Sequence, residues 1–124
     1  CDAPIADPSE PRPNYQLNFK ECKDRQRAAA EKCGPGHCDL IFVGDSIFER
    51  LGGEQCYLLL PPGVPVLGMH KAFNETFNLA SHSLFLAGSG DTTQQTMYAM
   101  DEILPVMTHS PKAFLVMVGT NNIG

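Results

Sequence analysis

Short apolar runs that stop abruptly at glycine and polar residues recur along this chain. The runs cover residues 39–43, 83–87 and 113–118. Continuous apolar runs of this length predict strands that are buried on both faces, as in a parallel sheet. The turns that follow them are Gly44-Asp45-Ser46, Gly88-Ser89-Gly90-Asp91 and Gly119-Thr120-Asn121-Asn122.

Helical patterns separate the predicted strands. Residues 18–33 hold good helix formers, and Gly34-Pro35-Gly36 ends that helix. Its predicted buried face is Phe19, Cys22, Gln26, Ala29 or Ala30, and Cys33. Two shorter helices are predicted at 47–51 and 69–77, with a short extended piece at 64–67 between them.

The last long helix is predicted to begin near Thr92, with Asp91 or Thr92 as its cap, and to bend or end at Pro105. Its apolar stripe is expected to lie in the core rather than to bind a metal or cofactor. The stripe consists of Met97, Met100, Ile103, Leu104 and Met107.

Strands that alternate with helices predict an α/β fold with a parallel sheet in residues 18–124. Residues 1–17 are predicted to form a proline-rich N-terminal arm. Right-handed crossovers place the turns after parallel strands at one edge of the sheet. We therefore expect Ser46, Gly90 and Asn121 to converge there, although they are far apart in the chain.

Length and charge narrow the classes of function. The 124 residues suffice for one domain or part of one, and 43% hydrophobic content is enough for a core. The net charge of −5, with no dominant basic run, argues against nucleic acid or an anionic membrane as a partner. No apolar stretch approaches the length of a transmembrane segment.

Cysteine usage favours an oxidising, secretory compartment. The chain has five cysteines, and Asn74-Glu75-Thr76 is an acceptor pattern for N-glycosylation. The odd count leaves one cysteine free or paired outside the chain. Because the sequence opens on Cys1, we expect a mature or trimmed chain. A trimmed or disulfide-bonded Cys1 is favoured over a lipid-modified one. Disulfides or free thiols are favoured over zinc at Cys22, Cys33, His37 and Cys38, whose spacing fits no standard set of ligands.

The polar groups at the three turns suit acyl transfer. Ser46 offers a hydroxyl, Gly90 a closely approachable backbone N–H and Asn121 an amide N–H. Such donors around a hydroxyl nucleophile would stabilise the oxyanion of a tetrahedral intermediate.

The same motifs resemble the first three sequence blocks of the SGNH, or GDSL, hydrolases. The nearest branch is the one similar to the catalytic subunits of platelet-activating-factor acetylhydrolase. Its blocks are a strand into Gly-Asp-Ser, a Gly-Asp-x-Thr turn and a Val-Gly-Thr-Asn-Asn turn, matched here from Gly44, Gly90 and Val118. The resemblance covers residues 18–124.

Several expectations follow from the resemblance. It implies that Ser46 is the nucleophile and an oxyanion donor, and that Gly90 and Asn121 complete the oxyanion hole. It implies a flavodoxin-like three-layer α/β/α fold, with the strands present here in the order 2-1-3. It also implies hydrolysis of small acyl or acetyl esters without a metal or other cofactor.

One block of the family pattern is absent: the 124 residues contain no Asp-x-x-His. His37, His82 and His109 precede strands, so we expect them at the amino ends, roughly 17–23 Å from Ser46. His70 stays open. The expected ester hydrolase is therefore incomplete in this chain, with its His and Asp supplied from elsewhere. In this chain alone, the strand at 113–118 would be an exposed apolar edge. We therefore expect a C-terminal half or another chain to cover it.

Other interpretations stay open at this point. A truncated domain of this type would also serve as a non-catalytic structural or accessory subunit of a larger assembly. Phosphate or nucleotide binding at residues 88–92 is a third hypothesis, although the chain lacks a P-loop pattern. Taken singly, Ser46 would cap a helix, Asn121 would tie a turn and Gly90 would allow a bend.

Overall fold

The computed structural model describes residues 16–53, 67–79 and 82–123, and they form an α/β fold. The strands β1, β2 and β3 are Leu40–Gly44, Ser83–Ala87 and Ala113–Met117. The helices α1 to α5 are Gln16–Glu31, Ser46–Gly52, Leu67–Phe77, Thr93–Ile103 and Thr120–Ile123, and a short 3-10 helix covers Leu104–Val106. All strands are parallel, in the order β2-β1-β3. The predicted α/β class and flavodoxin-like strand order are confirmed.

The register of the sheet aligns the carboxyl ends of the strands. Gly44 pairs with Ala87 on one side and with Met117 on the other. A side chain at Gly44 would not fit, because its Cβ would lie 2.5 Å from the carbonyl oxygen of Met117. The turns that follow β1, β2 and β3 consequently lie at one edge of the sheet, which we call the carboxyl edge.

Alternate residues of β1 and β2 face opposite helical layers. On one face, β1 and β2 pack against α1 and α4, and this layer forms the main core. Its buried residues are Ala30, Cys33, Ile41, Val43, Leu84, Leu86, Ala99 and Ile103. This pattern is what period-2 alternation in a strand covered on both faces produces.

The other face is aromatic. Phe42 of β1 stacks on Phe85 of β2, with ring centroids 4.8 Å apart. Phe48 of α2 and Phe73 of α3 meet the Phe42 ring edge-on, at 5.2 and 5.6 Å. Edge-on and offset pairs are the favoured geometries for aromatic rings. Helices α2 and α3 therefore cover the second face over β1 and β2, which gives the three layers expected.

Several element boundaries differ from the prediction. Helix α1 ends at Glu31, before Cys33, which forms a disulfide with Cys38. Met97 is 56% exposed, because α4 instead buries Thr96, Ala99 and Ile103. The short helix α5 was predicted as a turn. The extended piece predicted at 64–67 lies outside the described residues except for Leu67, which begins α3.

Strand β3 lies at one side of the sheet and is exposed along most of its length. Phe114, Leu115 and Val116 are 44%, 41% and 59% exposed. Successive residues of a strand point to opposite faces, so both faces of β3 are open among the described residues. Within the described ranges no helix has the length and apolar character needed to span a bilayer.

Candidate functional site

Ser46 is the first residue of α2 and does not cap it. The preceding residue, Asp45, is the N-cap, and its carboxylate accepts a hydrogen bond from the Ile47 N–H at 3.0 Å. The alternative role of Ser46 as the cap is therefore wrong. Asp45 is 3% exposed and braces the turn, whereas Ser46 is half-buried at the carboxyl edge.

Gly90 lies in the turn after β2 with φ +76, a left-handed conformation that glycine adopts without strain. The turn is closed by the Asp91 N–H, which donates to the Gly88 carbonyl at 3.0 Å. The Asp91 carboxylate is buried and forms an ion pair with Lys23 of α1 at 3.0 Å. This buried ion pair thus connects the turn after β2 to α1.

Asn121 lies in the first turn of α5, half-buried beside the turn after β2. Its side-chain Nδ2 donates to the Asp91 carbonyl at 2.9 Å. The neighbouring Asn122 accepts from the Thr93 N–H at 2.9 Å, which ties α5 to the start of α4. Because an amide nitrogen carries two hydrogens, Asn121 can tie the turn and still donate once more.

Glu49 joins the turns after β1 and β2. It lies on α2, is 1% exposed, and accepts from the backbone N–H of Ser89 at 2.5 Å. The Ser89 hydroxyl also donates to the same carboxylate at 3.0 Å. The structure thus brings Ser46, Gly90 and Asn121 to one edge and links the turns that carry them by side-chain hydrogen bonds.

Neither Lys23 nor Glu49 was predicted to take part in this site. The partner of Lys23 is 68 residues away in the chain, and that of Glu49 is 40 residues away. The only local signal is position, since Lys23 adjoins the predicted apolar face of α1 and Glu49 is one helical turn from Ser46.

Each of the four histidines lies away from Ser46. His82 contacts the Gly36 carbonyl through Nδ1 at 2.6 Å, His109 contacts Asp39 at 3.2 Å, and His37 is exposed in the loop before β1. These three lie toward the amino ends of the strands, as predicted. The Nδ1 of His70 contacts the Leu51 carbonyl at 2.7 Å, near the far end of α2 from Ser46. No histidine of the chain is therefore placed to act as the base for Ser46.

A polar cluster lies at the opposite, amino edge of the sheet. Asp39 accepts from Lys112 Nζ at 2.8 Å and contacts His109 Nε2 at 3.2 Å. The hydrogen bond from Lys112, and then that from His109, lowers the pKa of Asp39 below its ordinary value of 3.8. Its backbone carbonyl also accepts from the Lys112 and Ala113 N–H groups. Asp39 thus anchors the start of β3 to the start of β1.

The contacts at the start of α4 bear on the phosphate hypothesis. The Thr92 N–H donates to the side chain of Gln95 at 2.8 Å, and Thr93 donates to Asn122. A phosphate at a helix N-terminus would need such N–H groups. Side-chain oxygens of the chain itself already occupy them, which disfavours an anion site here.

The sulfur chemistry of the described residues is that of disulfides. Cys33 is bonded to Cys38, and Cys22 is disulfide-bonded as well. Both sulfurs of the Cys33–Cys38 pair are consumed, so they are not zinc ligands. Within residues 16–53, 67–79 and 82–123, no group of three or more His, Cys, Asp or Glu side chains is arranged to hold a metal ion.

No protein-family model matches this chain, and no curated protein matches it. The case for a function therefore depends on the residues and contacts described above.

Proposed function

We propose that this chain carries the nucleophile and oxyanion hole of an SGNH-like serine ester hydrolase. The observation that supports the proposal is the junction at the carboxyl edge. There Ser46 begins α2 without serving as its cap, and Asn121 is tied to the turn that contains Gly90. Each residue alone has a structural role, but their combination at the ends of adjacent parallel strands suits acyl transfer.

In the proposed reaction, the Ser46 hydroxyl attacks the carbonyl carbon of an acyl or acetyl ester while a base takes its proton. The resulting oxyanion accepts hydrogen bonds from the N–H groups of Ser46 and Gly90 and from the Asn121 amide. When the intermediate collapses, the protonated base gives its proton to the leaving oxygen, so that the alcohol departs and the acyl group stays on Ser46. Water then releases the acid by the same steps, and no metal or other cofactor takes part.

The base is the component that this chain does not place at the site. His70 and His109 contact other groups, and His37 and His82 lie toward the amino ends of the strands. We propose that the histidine and its aspartate come from polypeptide outside these 124 residues, either a C-terminal half or another chain. The exposed side of β3 supports this, since such polypeptide would cover it.

A secretory compartment is part of the same proposal. The Cys33–Cys38 disulfide favours an oxidising environment, in which it would persist. Asn74 is exposed on α3, so a glycan there would meet solvent. A protein made in the secretory pathway would acquire both the disulfide and a glycan at Asn74.

Fluorophosphonate labelling of the protein as it is secreted, together with any polypeptide attached to it or associated with it, tests the hydrolase proposal. We expect a phosphonyl adduct on Ser46, located by peptide mass spectrometry, and no adduct in Ser46→Ala. The absence of an adduct at Ser46 in folded protein, while a known serine hydrolase in the same sample is labelled, would contradict the proposal.

A second candidate function is that of a non-catalytic structural or accessory subunit. The exposed apolar strand β3 favours it, because such an edge is suited to pairing with another chain. Under this hypothesis Ser46 would stay unlabelled in an assembled complex. A stable, monodisperse monomer would count against it.

A further inference from the structure

Glu49 is a buried acidic residue to which the proposed reaction assigns no role. It follows Ser46 by three positions on α2, so both residues lie on the same side of that helix. With 1% of its surface exposed, its carboxyl group is removed from water. Burial of a carboxylate costs several kcal/mol unless hydrogen bonds satisfy it, so its contacts need a physical explanation.

Two of those contacts are with Ser89, in the turn that follows the neighbouring strand β2. Ser89 donates its backbone N–H to one carboxylate oxygen at 2.5 Å and its hydroxyl to the other at 3.0 Å. Hydrogen bonds to an ionised acceptor are short and about twice as strong as those between neutral groups. Ser89 immediately precedes Gly90, so Glu49 holds the peptide next to the proposed oxyanion donor.

We infer that Glu49 is a positioning residue that sets the distance between the Ser46 hydroxyl and the Gly90 N–H. The register of β1 with β2 runs to Gly44 and Ala87, and the Gly88 N–H donates to the Gly44 carbonyl at 3.3 Å. Beyond those residues the turn after β2 leaves the sheet, and Glu49 fixes it relative to the helix that starts at Ser46. The inference rests on the proposed function, because a distance between these groups matters only if they act together.

The test replaces the nucleophile so that no external base is needed. In Ser46→Cys, the thiol ionises well enough near about pH 8 to attack p-nitrophenyl acetate unaided. The measured quantity is the rate of acetylation at position 46, followed by peptide mass spectrometry, divided by the rate of reaction of the same thiol with an aromatic disulfide. Ester attack forms an oxyanion and disulfide exchange does not, so the ratio reports on the oxyanion hole and corrects for accessibility.

Glu49→Ala in the Ser46→Cys background is expected to lower this ratio by about 10- to 100-fold, the cost of misplacing catalytic groups by about an ångström. Glu49→Gln keeps the shape, with its oxygen accepting the Ser89 N–H and its nitrogen donating to the Ser89 hydroxyl. We expect it to keep the ratio within about threefold, by that same geometric argument. An unchanged ratio in Glu49→Ala, or an equal loss in Glu49→Gln, would overturn the inference.

Ser89→Ala provides the second variant, because Glu49→Ala leaves a cavity and removes the carboxylate that accepts from the Ser89 N–H, which can prevent folding. Ser89→Ala removes the hydroxyl group that donates to Glu49 and keeps the backbone N–H. We expect it to lower the ratio by about threefold or more, because the Gly90 N–H is then held less accurately. An unchanged ratio in this variant would also overturn the inference. If the parent Ser46→Cys shows no higher ratio folded than unfolded in urea, the proposed function fails first. If the parent shows the increase and the variants equal it, only the role of Glu49 fails.

Discussion

At the scale of single residues, the unusual feature of this chain is its use of buried charge behind the carboxyl edge. Lys23 and Asp91 form an ion pair with side chains 7% and 1% exposed. On the same helix, Lys20 and Asp24 form a pair at 2.7 Å, but their side chains are 78% and 55% exposed. Solvent screens the exposed pair but not the buried one. Loss of the lysine should therefore change stability more in the buried pair, although both are Lys–Asp pairs.

Lys23→Met is expected to lower the free energy of unfolding by about 3 kcal/mol, because it removes the ammonium group that pairs with the buried Asp91 carboxylate. The matched change Lys20→Met should cost less than about 1 kcal/mol, as exposed pairs do. Urea denaturation of both variants measures the difference. Equal losses of unfolding free energy in the two variants would show that burial does not strengthen the Lys23–Asp91 pair.

Asp39 predicts a dependence on pH at the opposite edge of the sheet. Its pKa is lowered in the folded state by hydrogen bonds from Lys112 and then His109. A carboxyl group whose folded pKa is lowered stabilises the fold above its unfolded pKa, and this contribution disappears as the pH falls through the folded pKa.

Asp39→Asn should therefore lower the free energy of unfolding relative to the unsubstituted protein at neutral pH. The difference should persist down to the ordinary pKa of 3.8 and then shrink at lower pH. Urea midpoints measured across this range test the sign. The control is Asp101→Asn, which makes the same charge change on the exposed surface of α4. A difference for Asp39→Asn that grows as the pH falls would contradict the assignment.

The residue scale also shows which parts of the site the sequence predicts. Ser46, Gly90 and Asn121 could be selected because each follows an apolar run in a short polar turn. Lys23 and Glu49 could not, because a charged residue in a helix usually faces water. Their burial depends on partners contributed by another strand's turn, which no local pattern encodes.

At the scale of secondary structure elements, the start of α2 determines how the Ser46 side chain is presented at the carboxyl edge. Asp45 has extended backbone angles and caps the helix, so that Ser46 becomes its first residue. A cap satisfies an N–H group that the helix leaves without an internal partner.

Asp45→Ala should cost about 1 kcal/mol of stability through loss of this cap, whereas Asp45→Asn should cost little, since Asn and Asp cap about equally well. Thermal or urea unfolding of the two variants makes the comparison. A loss in Asp45→Asn as large as in Asp45→Ala would mean that the charge of Asp45, rather than capping, stabilises α2.

Elements with strong local signals were predicted well, and those held by distant contacts were not. The run at 83–87 is bounded by polar and glycine residues, and β2 covers the same residues. Helix α5 was missed because Thr120-Asn121-Asn122 has the composition of a turn. In the structure, contacts of Asn121 and Asn122 with residues 91 and 93 accompany its helical form. Such contacts across 29–30 residues leave no periodic pattern.

At the scale of the whole molecule, the two sides of the sheet differ. On the side formed by β2, Gln26 of α1 donates to the Ala87 carbonyl at 2.8 Å, so a helix contacts the end of this strand. The strand β3 on the other side carries no charged residue, and its burial among the described residues is low. An exposed apolar edge strand is a site for association with another chain.

The purified 124-residue chain, without other polypeptide to cover β3, should therefore self-associate in a concentration-dependent way, and Val116→Lys should reduce that association. The reason is that a lysine on an edge strand opposes pairing. Sedimentation velocity over a range of concentrations measures it. Ile123→Lys adds the same charge at an 89% exposed residue that is outside the strand, and should have less effect. Equal effects would indicate a response to net charge rather than to the strand edge.

The central claim is that the carboxyl edge forms an oxyanion hole around residue 46. Its most direct measurement is the acetylation rate of Ser46→Cys by p-nitrophenyl acetate, divided by the disulfide-exchange rate of the same thiol, with and without Asn121→Ala. Removal of one oxyanion donor typically costs on the order of 100-fold, so the ratio should fall by about that factor. An Asn121→Ala variant that folds and keeps the full ratio would contradict the claim.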